Sequence, residues 1–377
     1  MTTSVNDPLL SVLLDPGDTA SWTGQEWTLA FRQARFSGLA GRLADRLLAD
    51  PLAPKSTCPV ALRCHLEAAL RVCKAQQAEV LRETKFLDQA LASLGAPVVL
   101  LKGAAYAAAK LPAARGRVFS DVDILVPKQA LAKAESLLTL HGWMTTEESE
   151  YNQRYYRRWM HELPPMRHLQ RGTVLDVHHT ILPETARLRP DAAKLIAAAV
   201  PLAGTRVLHV LAPVDMVLHS LTHLFMNDDM THALRDLSDL DLLLRAPQGQ
   251  DCTWDRLLPR ARELNLERPL FYALRHLRRV MKLPVAERLV AASAADGPGP
   301  ALGRAMDWIW SQALSAPIPP KSHVARDLAL AALYVRGHWL RMPPLMLIQH
   351  LAIKALGLHK NKQGTAKSAA RDEAANF

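Results

Sequence analysis

The chain has 377 residues, enough for two or three compact units, and its 49% hydrophobic and 22% charged content excludes a wholly disordered chain. A formal net charge of +10 favours partners that carry phosphate, nucleic acid or anionic lipid over cationic ones. Aromatic residues are only 6% of the chain, while Ala and Leu, which lose little entropy in a helix, are abundant, so helix is favoured over sheet.

Residues 1–15 carry apolar Leu but no basic leader and no cleavage pattern, and are not read as a signal peptide. The first 95 residues read as a helical segment: Phe36, Leu39, Leu43 and Leu47 recur at helical spacing, and a second helix over 61–94 aligns Leu62, Leu66, Leu70 and Cys73. Gly95 and Pro97 stop it. Cys58, Cys64, Cys73 and Cys252 have the spacing of neither a zinc module nor a disulfide framework, which indicates a reducing, cytoplasmic compartment.

The pattern then changes. Val98-Val99-Leu100-Leu101 reads as a buried strand, followed by a Lys102-Gly103 turn and a short helix over 104–110. A second strand covers 123–126 and stops at Pro127; a helix covers 128–140, and strands are expected over 143–146 and 173–178. From about 191 the chain is helical again, with one long region over 213–245, a break at Pro247-Gln248-Gly249, helices over 254–264, 269–281 and 301–313, and a loop over 293–300. The apolar stretch 345–358, interrupted by Gln349, His350 and Lys354, is too short and polar to span a bilayer and reads as a packed helix. The polar end is expected to be disordered. The domain reading is an N-terminal helical segment (1–95), an α/β core (96–185), a C-terminal helical domain (186–358) and a tail (359–377). The fold class is helix-rich α+β: a mixed sheet with covering helices, flanked by helical segments.

Chemistry concentrates in Ser120-Asp121-Val122-Asp123-Ile124-Leu125-Val126. Alternate residues of a strand face one side, so Asp121 and Asp123 project together. Carboxylates so close repel unless a cation lies between them, and Mg²⁺ takes one or two carboxylates plus phosphate oxygens. Alone, an Asp-x-Asp is more often a pair of solvated or capping aspartates; three neighbours change that. The Leu101-Lys102-Gly103-Ala104 turn offers close backbone approach, free N–H groups and a point charge to a phosphate. Leu175-Asp176-Val177-His178-His179 puts a third carboxylate inside an apolar strand, where it needs a partner. Arg117, with Arg115 nearby, is able to bind a phosphate oxygen bidentately.

The ordered set Lys-Gly-Ala, then Arg-x-x-x-Asp-x-Asp-Ile-Leu-Val, then Leu-Asp-Val-His-His resembles the uncharacterised nucleotidyltransferase family of the polymerase-β-like superfamily, over residues 98–182 and more loosely to about 245. The resemblance implies a minimal nucleotidyltransferase fold and two Mg²⁺ ions, which Mn²⁺ can replace. By position, Asp121 and Asp123 would hold the metals and Asp176 would be the third catalytic, metal-binding carboxylate. Lys102, Gly103, Ala104, Arg117 and Ser120 would bind the nucleotide. His178, on the same strand face as Asp176, and Arg235 and Asp236 would lie on the acceptor side. The usual Gly-Ser or Gly-Gly turn is Gly103-Ala104 here, so a phosphate-binding hydroxyl is absent. The implied reaction moves an NMP from an NTP to an acceptor hydroxyl and releases pyrophosphate. The acceptor is open: small molecule, sugar, peptide, protein or RNA. Alternatives are a toxin-like enzyme that modifies transfer RNA and an inactive homologue that binds nucleotide or RNA.

Two weaker signals remain. Arg154, Arg157, Arg158, Arg167 and Arg171 are interleaved with Tyr151, Tyr155, Tyr156 and Trp159, a mix able to grip nucleic acid or to form an exposed basic hairpin. His219 and His223 lie four apart on a helix, with Asp228, Asp229, His232, Asp236 and Asp239 downstream. That spacing suits a metal, or histidines packed in a core. His161-Glu162 lacks the second histidine of a zinc-protease motif.

Overall fold

The computed structural model describes residues 7–49, 58–147, 153, 156–157, 160–246, 253–317 and 323–343. Cys252, the break at 247–249, the stretch 345–358 and the tail lie outside the described residues, as do Tyr151, Arg154, Tyr155, Arg158 and Trp159.

The architecture is helix-rich α+β. Helices α1 (Pro8–Leu14), α2 (Gly24–Phe36), α3 (Ala40–Ala44) and α4 (Val60–Ala90) precede strand β1 (Val98–Leu100). Helix α5 (Lys102–Ala108), strand β2 (Val122–Leu125), helix α6 (Leu131–Leu140) and strand β3 (Trp143–Thr145) follow, then β4 (Met166–His168) and β5 (Val174–His178). Strands β6 (Val200–Pro201) and β7 (Leu208–Val210) come next, and helices occupy most of the rest. The seven strands form one mixed sheet in the order β3-β4-β5-β2-β1-β7-β6. Its centre combines a parallel β2–β5 pair, an antiparallel β1–β2 pair and a parallel β1–β7 pair. Two strands of this sheet therefore lie beyond residue 185.

The apolar runs explain the centre. Val98, Val99, Leu100, Val122, Ile124, Leu125, Leu175 and Val177 are fully buried. They join one continuous core that runs from Val80 in α4 to Leu333 near the end of the described chain. Helix α4 holds both ends of the sheet with acidic side chains. Glu83 binds Arg171 at the β4–β5 turn, at 2.5 and 3.1 Å, and Asp88 accepts from the N–H groups of Arg206 and Val207 before β7. Buried carboxylates are thereby paired, as burial requires.

The long helical region over 213–245 is two helices, Pro213–Met226 and Ala233–Arg245. Between them, Asn227 leaves the helix with an extended backbone, and its side chain accepts from the N–H of Asp228. Such local bonding by Asn and Asp competes with helix continuation. Helix α4 ends at Ala90, short of Gly95. Three short strands, β4, β6 and β7, and the helices Glu287–Ala294 and Val324–Arg341 add to the elements read from sequence. Cys58, Cys64 and Cys73 are free thiols; burial pushes that of Cys73 up to about 11. No helix among the described residues is long and apolar enough to cross a membrane.

Candidate active site

The site begins with strand register. Asp123 of β2 lies opposite Asp176 of β5, and Leu125 lies opposite His178. Residues two apart share a face, so Asp123, Asp176 and His178 project to one side of the sheet, while Val122, Ile124, Leu175 and Val177 pack on the other. Asp123 is 3% exposed. Asp121, just ahead of β2, is half-buried, and its Oδ1 accepts from Ser120 Oγ at 2.9 Å.

Lys102 reaches the same place from the end of β1. Its Nζ donates to Asp123 Oδ1 at 2.9 Å. Lys102 has φ of 45°, a left-handed conformation that costs a non-glycine residue free energy and persists only where its surroundings enforce it. The strained residue of the turn is thus the lysine, not the glycine after it. Gly103 is required for a different reason: an added Cβ would collide with the Arg117 guanidinium and press on Phe119. Gly103 and Ala104 are buried in the first turn of α5.

A second donor meets Asp123. His178 Nε2 lies 3.1 Å from the same Oδ1, and His178 Nδ1 lies 3.2 Å from Glu162 Oε2. The backbone fixes Glu162 there: residues 161–163 run antiparallel to β5, with Leu163 N–H donating to Val177 O and His179 N–H to His161 O.

The charges are strongly coupled. Burial alone would raise the Asp123 pKa, but Lys102 and His178 outweigh it and hold the carboxyl well below its usual range. Asp176 has no such donor. Burial, then the charges of Asp123 and Glu162, push it up to about 7, and its Oδ1 is buried without a hydrogen-bond partner. Burial would lower the Lys102 pKa, yet the charges of Asp123, Asp121 and Asp176 raise it. Burial also disfavours a charged His178, but Glu162 and Asp123 shift its pKa upward. Asp121, Asp123, Asp176, Lys102 and His178 therefore form one electrostatic group.

Asp123 and Asp176, paired on one face of the sheet, and Asp121 just ahead of β2 are oxygen donors of the kind a hard divalent cation takes, one with an oxygen committed to no hydrogen bond, although the ligand atoms of the three do not all lie within 4.8 Å of one another.

The other residues singled out from sequence lie around this group. Arg117 is buried, its Nε donating to Asp239 Oδ2 at 2.9 Å and its guanidinium over the rings of Tyr106 and Phe119. Asp239 also forms an ion pair with Arg42, whose Nη1 lies 2.7 Å from Oδ1. Arg117 therefore props the Lys102–Gly103 turn from beneath. Arg115 is exposed and pairs with Asp45. Arg235 pairs with Asp236, which lies 3.6 Å from His223 Nδ1. Burial, then the charge of Lys102, lowers the pKa of both His219 and His223. The downstream acids scatter to separate partners: Asp228 to Arg341, Asp239 to Arg42 and Arg117. Of the basic aromatic segment, Arg157 pairs with Glu135, Arg167 donates to Gly172 O and Arg171 pairs with Glu83.

Glu162 was missed as a site residue. Its link to His178 runs across strands, and only the alternation of a short extended segment before Pro164 hints at it.

The family model described as "Uncharacterised nucleotidyltransferase" matches residues 23–282, well over half of the chain. No curated protein and no solved structure matches it. The matched span contains the whole seven-stranded sheet, Lys102 and all three aspartates. The chain belongs to the uncharacterised nucleotidyltransferase family and is a transferase of nucleotidyl groups.

Proposed function

We propose that this enzyme moves a nucleoside monophosphate from an NTP to an acceptor hydroxyl, with Asp121, Asp123 and Asp176 holding Mg²⁺. The observation that carries the reading is the Asp123–Asp176 pairing across β2 and β5, next to Lys102 Nζ. When bound, Mg²⁺ would offset charge on the attacking and leaving oxygens of an in-line displacement. The protein's own residues do the rest. Lys102 keeps a fixed positive charge beside the carboxylates, where it attracts a triphosphate and would counter the charge of departing pyrophosphate. Its strained backbone holds that ammonium over Asp123. His178 donates to Asp123 Oδ1 and fixes its rotamer, as outer partners of metal-binding carboxylates do. Asp176 supplies the oxygen that no donor occupies. Backbone N–H groups at Gly103 and Ala104 take the place of the missing turn hydroxyl, and Ser120 orients Asp121. Arg117 acts as a support of the turn, because Asp239 already engages its guanidinium.

His223 and Asp236, on the helices above the sheet, supply polar groups for the acceptor side. The acceptor's class is open to a direct screen. The four α-labelled NTPs, with Mg²⁺ or Mn²⁺, are incubated with enzyme and cell extract, and the labelled fraction is identified as small molecule, peptide, protein or RNA. Label on RNA would select the transfer-RNA reading. One observation favours the inactive alternative: Ala104 offers no hydroxyl. NTP binding that yields no labelled product and is unaffected by Asp121→Asn would establish that alternative instead.

A further inference from the structure

Beside the aspartates lies a second group of ligands of different chemistry. Among the described residues, the three side chains whose ligand atoms all lie within 4.8 Å of one another are His161, Glu162 and His178; the aspartates are not part of that set. We propose that these three residues form a separate site for a divalent transition-metal ion of the zinc class.

The hydrogen-bond pattern of His178 points to this site. Its Nε2 faces Asp123 Oδ1, and an ionised carboxylate only accepts, so Nε2 carries the proton. Its Nδ1 is buried with no hydrogen-bond partner, although Glu162 Oε2 lies 3.2 Å away. A carboxylate facing a ring nitrogen at that distance calls for positive charge between them; the geometry makes no N–H hydrogen bond there, and a metal ion supplies the charge instead. The carboxylate–histidine–metal arrangement has this form: metal on one ring nitrogen, carboxylate on the other.

His161 adds the second imidazole. Its ring stacks on that of His178, with centroids 5.2 Å apart, and its Nε2 lies 3.8 Å from Glu162 Oε2. Separations of 3.2 and 3.8 Å among donors suit ligands bound at roughly 2.0–2.2 Å around one ion.

The donor set is also rigid. All three ligands come from a backbone ladder, the 161–163 segment hydrogen-bonded to β5, so the donor set is held before any ion arrives. Two imidazoles and one carboxylate select a borderline ion such as Zn²⁺ over Mg²⁺, which takes oxygen ligands. Three protein ligands also leave a coordination position for water or an acceptor group. The ion's position, one imidazole ring away from Asp123, would lock His178 as a donor to that carboxylate.

The test uses the full chain, stripped with chelator and titrated with Zn²⁺ alone against a chromophoric competitor. One tightly bound equivalent is expected. His161→Ala and Glu162→Gln should each weaken it by about a hundredfold or more, whereas Asp121→Asn and Asp176→Asn should leave stoichiometry and affinity unchanged. Wild type that retains no more zinc than His161→Ala overturns the site. So does an equal loss in Asp176→Asn, which would put the zinc on the aspartates. X-ray absorption of the wild-type zinc complex decides the matter if His161→Ala misfolds. Two imidazole nitrogens in the zinc shell support the site, and a shell without imidazole removes it.

Discussion

Asp123 Oδ1 receives Lys102 Nζ at 2.9 Å and His178 Nε2 at 3.1 Å, while Asp176 Oδ1 receives nothing. Two carboxylates side by side thus differ: one is clamped by two donors, and the other has an oxygen that receives none. A similar division holds beneath the turn, where Asp239 neutralises both Arg42 and Arg117 in the interior. Removing that charge leaves two buried guanidiniums uncompensated, which costs about 3–5 kcal/mol when a buried pair is broken. Asp239→Ala should therefore lose that much stability in urea unfolding, and a loss below 1 kcal/mol would mean that solvent reaches the pair. Gly103→Ala acts on the same contact from the other side. Its methyl meets Arg117 and Phe119, and overpacking of this kind costs roughly 1–3 kcal/mol. The variant should melt earlier, and an unchanged melting temperature would show that the guanidinium can move aside.

The elements differ in how clearly the sequence announces them, and the differences have causes. β1, β2 and β5 were legible because each is a compact apolar run closed by Gly, Pro or His, and each is buried at the centre of the sheet. β4 and β6 were not: Met166–His168 and Val200–Pro201 are three and two residues long and hold polar residues or proline, so no period can be read from them. The apolar runs around them put Asp123 and Asp176 on β2 and β5, while Asp121 lies just ahead of β2. The roles of Lys102, Arg117 and Glu162 could not be read from such runs, because each is set by a partner far away in sequence: Asp123, Asp239 and His178. Helix α5 shows the same limit at its end. Its cap is Ala109, and Lys110 after it takes φ of 55°, a position that glycine usually fills. Lys110→Gly should raise stability by about 0.5–1 kcal/mol with transfer unchanged, as read from paired unfolding and activity curves. A loss of stability would mean that the lysine side chain makes a contact of greater value than the relieved backbone.

At the scale of the whole molecule, the sheet shares one core with helix α4 and helices that follow it, while α1–α3 pack in a second cluster with Leu66, Leu234 and Ala316. The core is continuous from Val80 to Leu333, β1 pairs with β7 on one side and β2 on the other, and α4 binds turns at both ends of the sheet. A fragment of residues 96–185 would expose the β7 side of β1 and lose the cover of α4 and of the helix Pro213–Met226. Such a fragment should lack a cooperative unfolding transition by circular dichroism; a sharp transition would mark it as an autonomous unit. The net charge of +10 gives the full chain a field that draws polyanionic substrates. The central claim is that the paired aspartates drive nucleotidyl, not phosphoryl, transfer. Once the acceptor is known, it is tested by running α-labelled and γ-labelled NTP in parallel with wild type and Asp123→Asn. The account predicts that α-label stays on the acceptor and γ-label leaves as pyrophosphate. It predicts also that the variant, still folded, is slower by about a thousandfold or more, as removal of a centre that stabilises transition-state charge implies. Retention of γ-label on the acceptor, or transfer by Asp123→Asn at the wild-type rate, would contradict it.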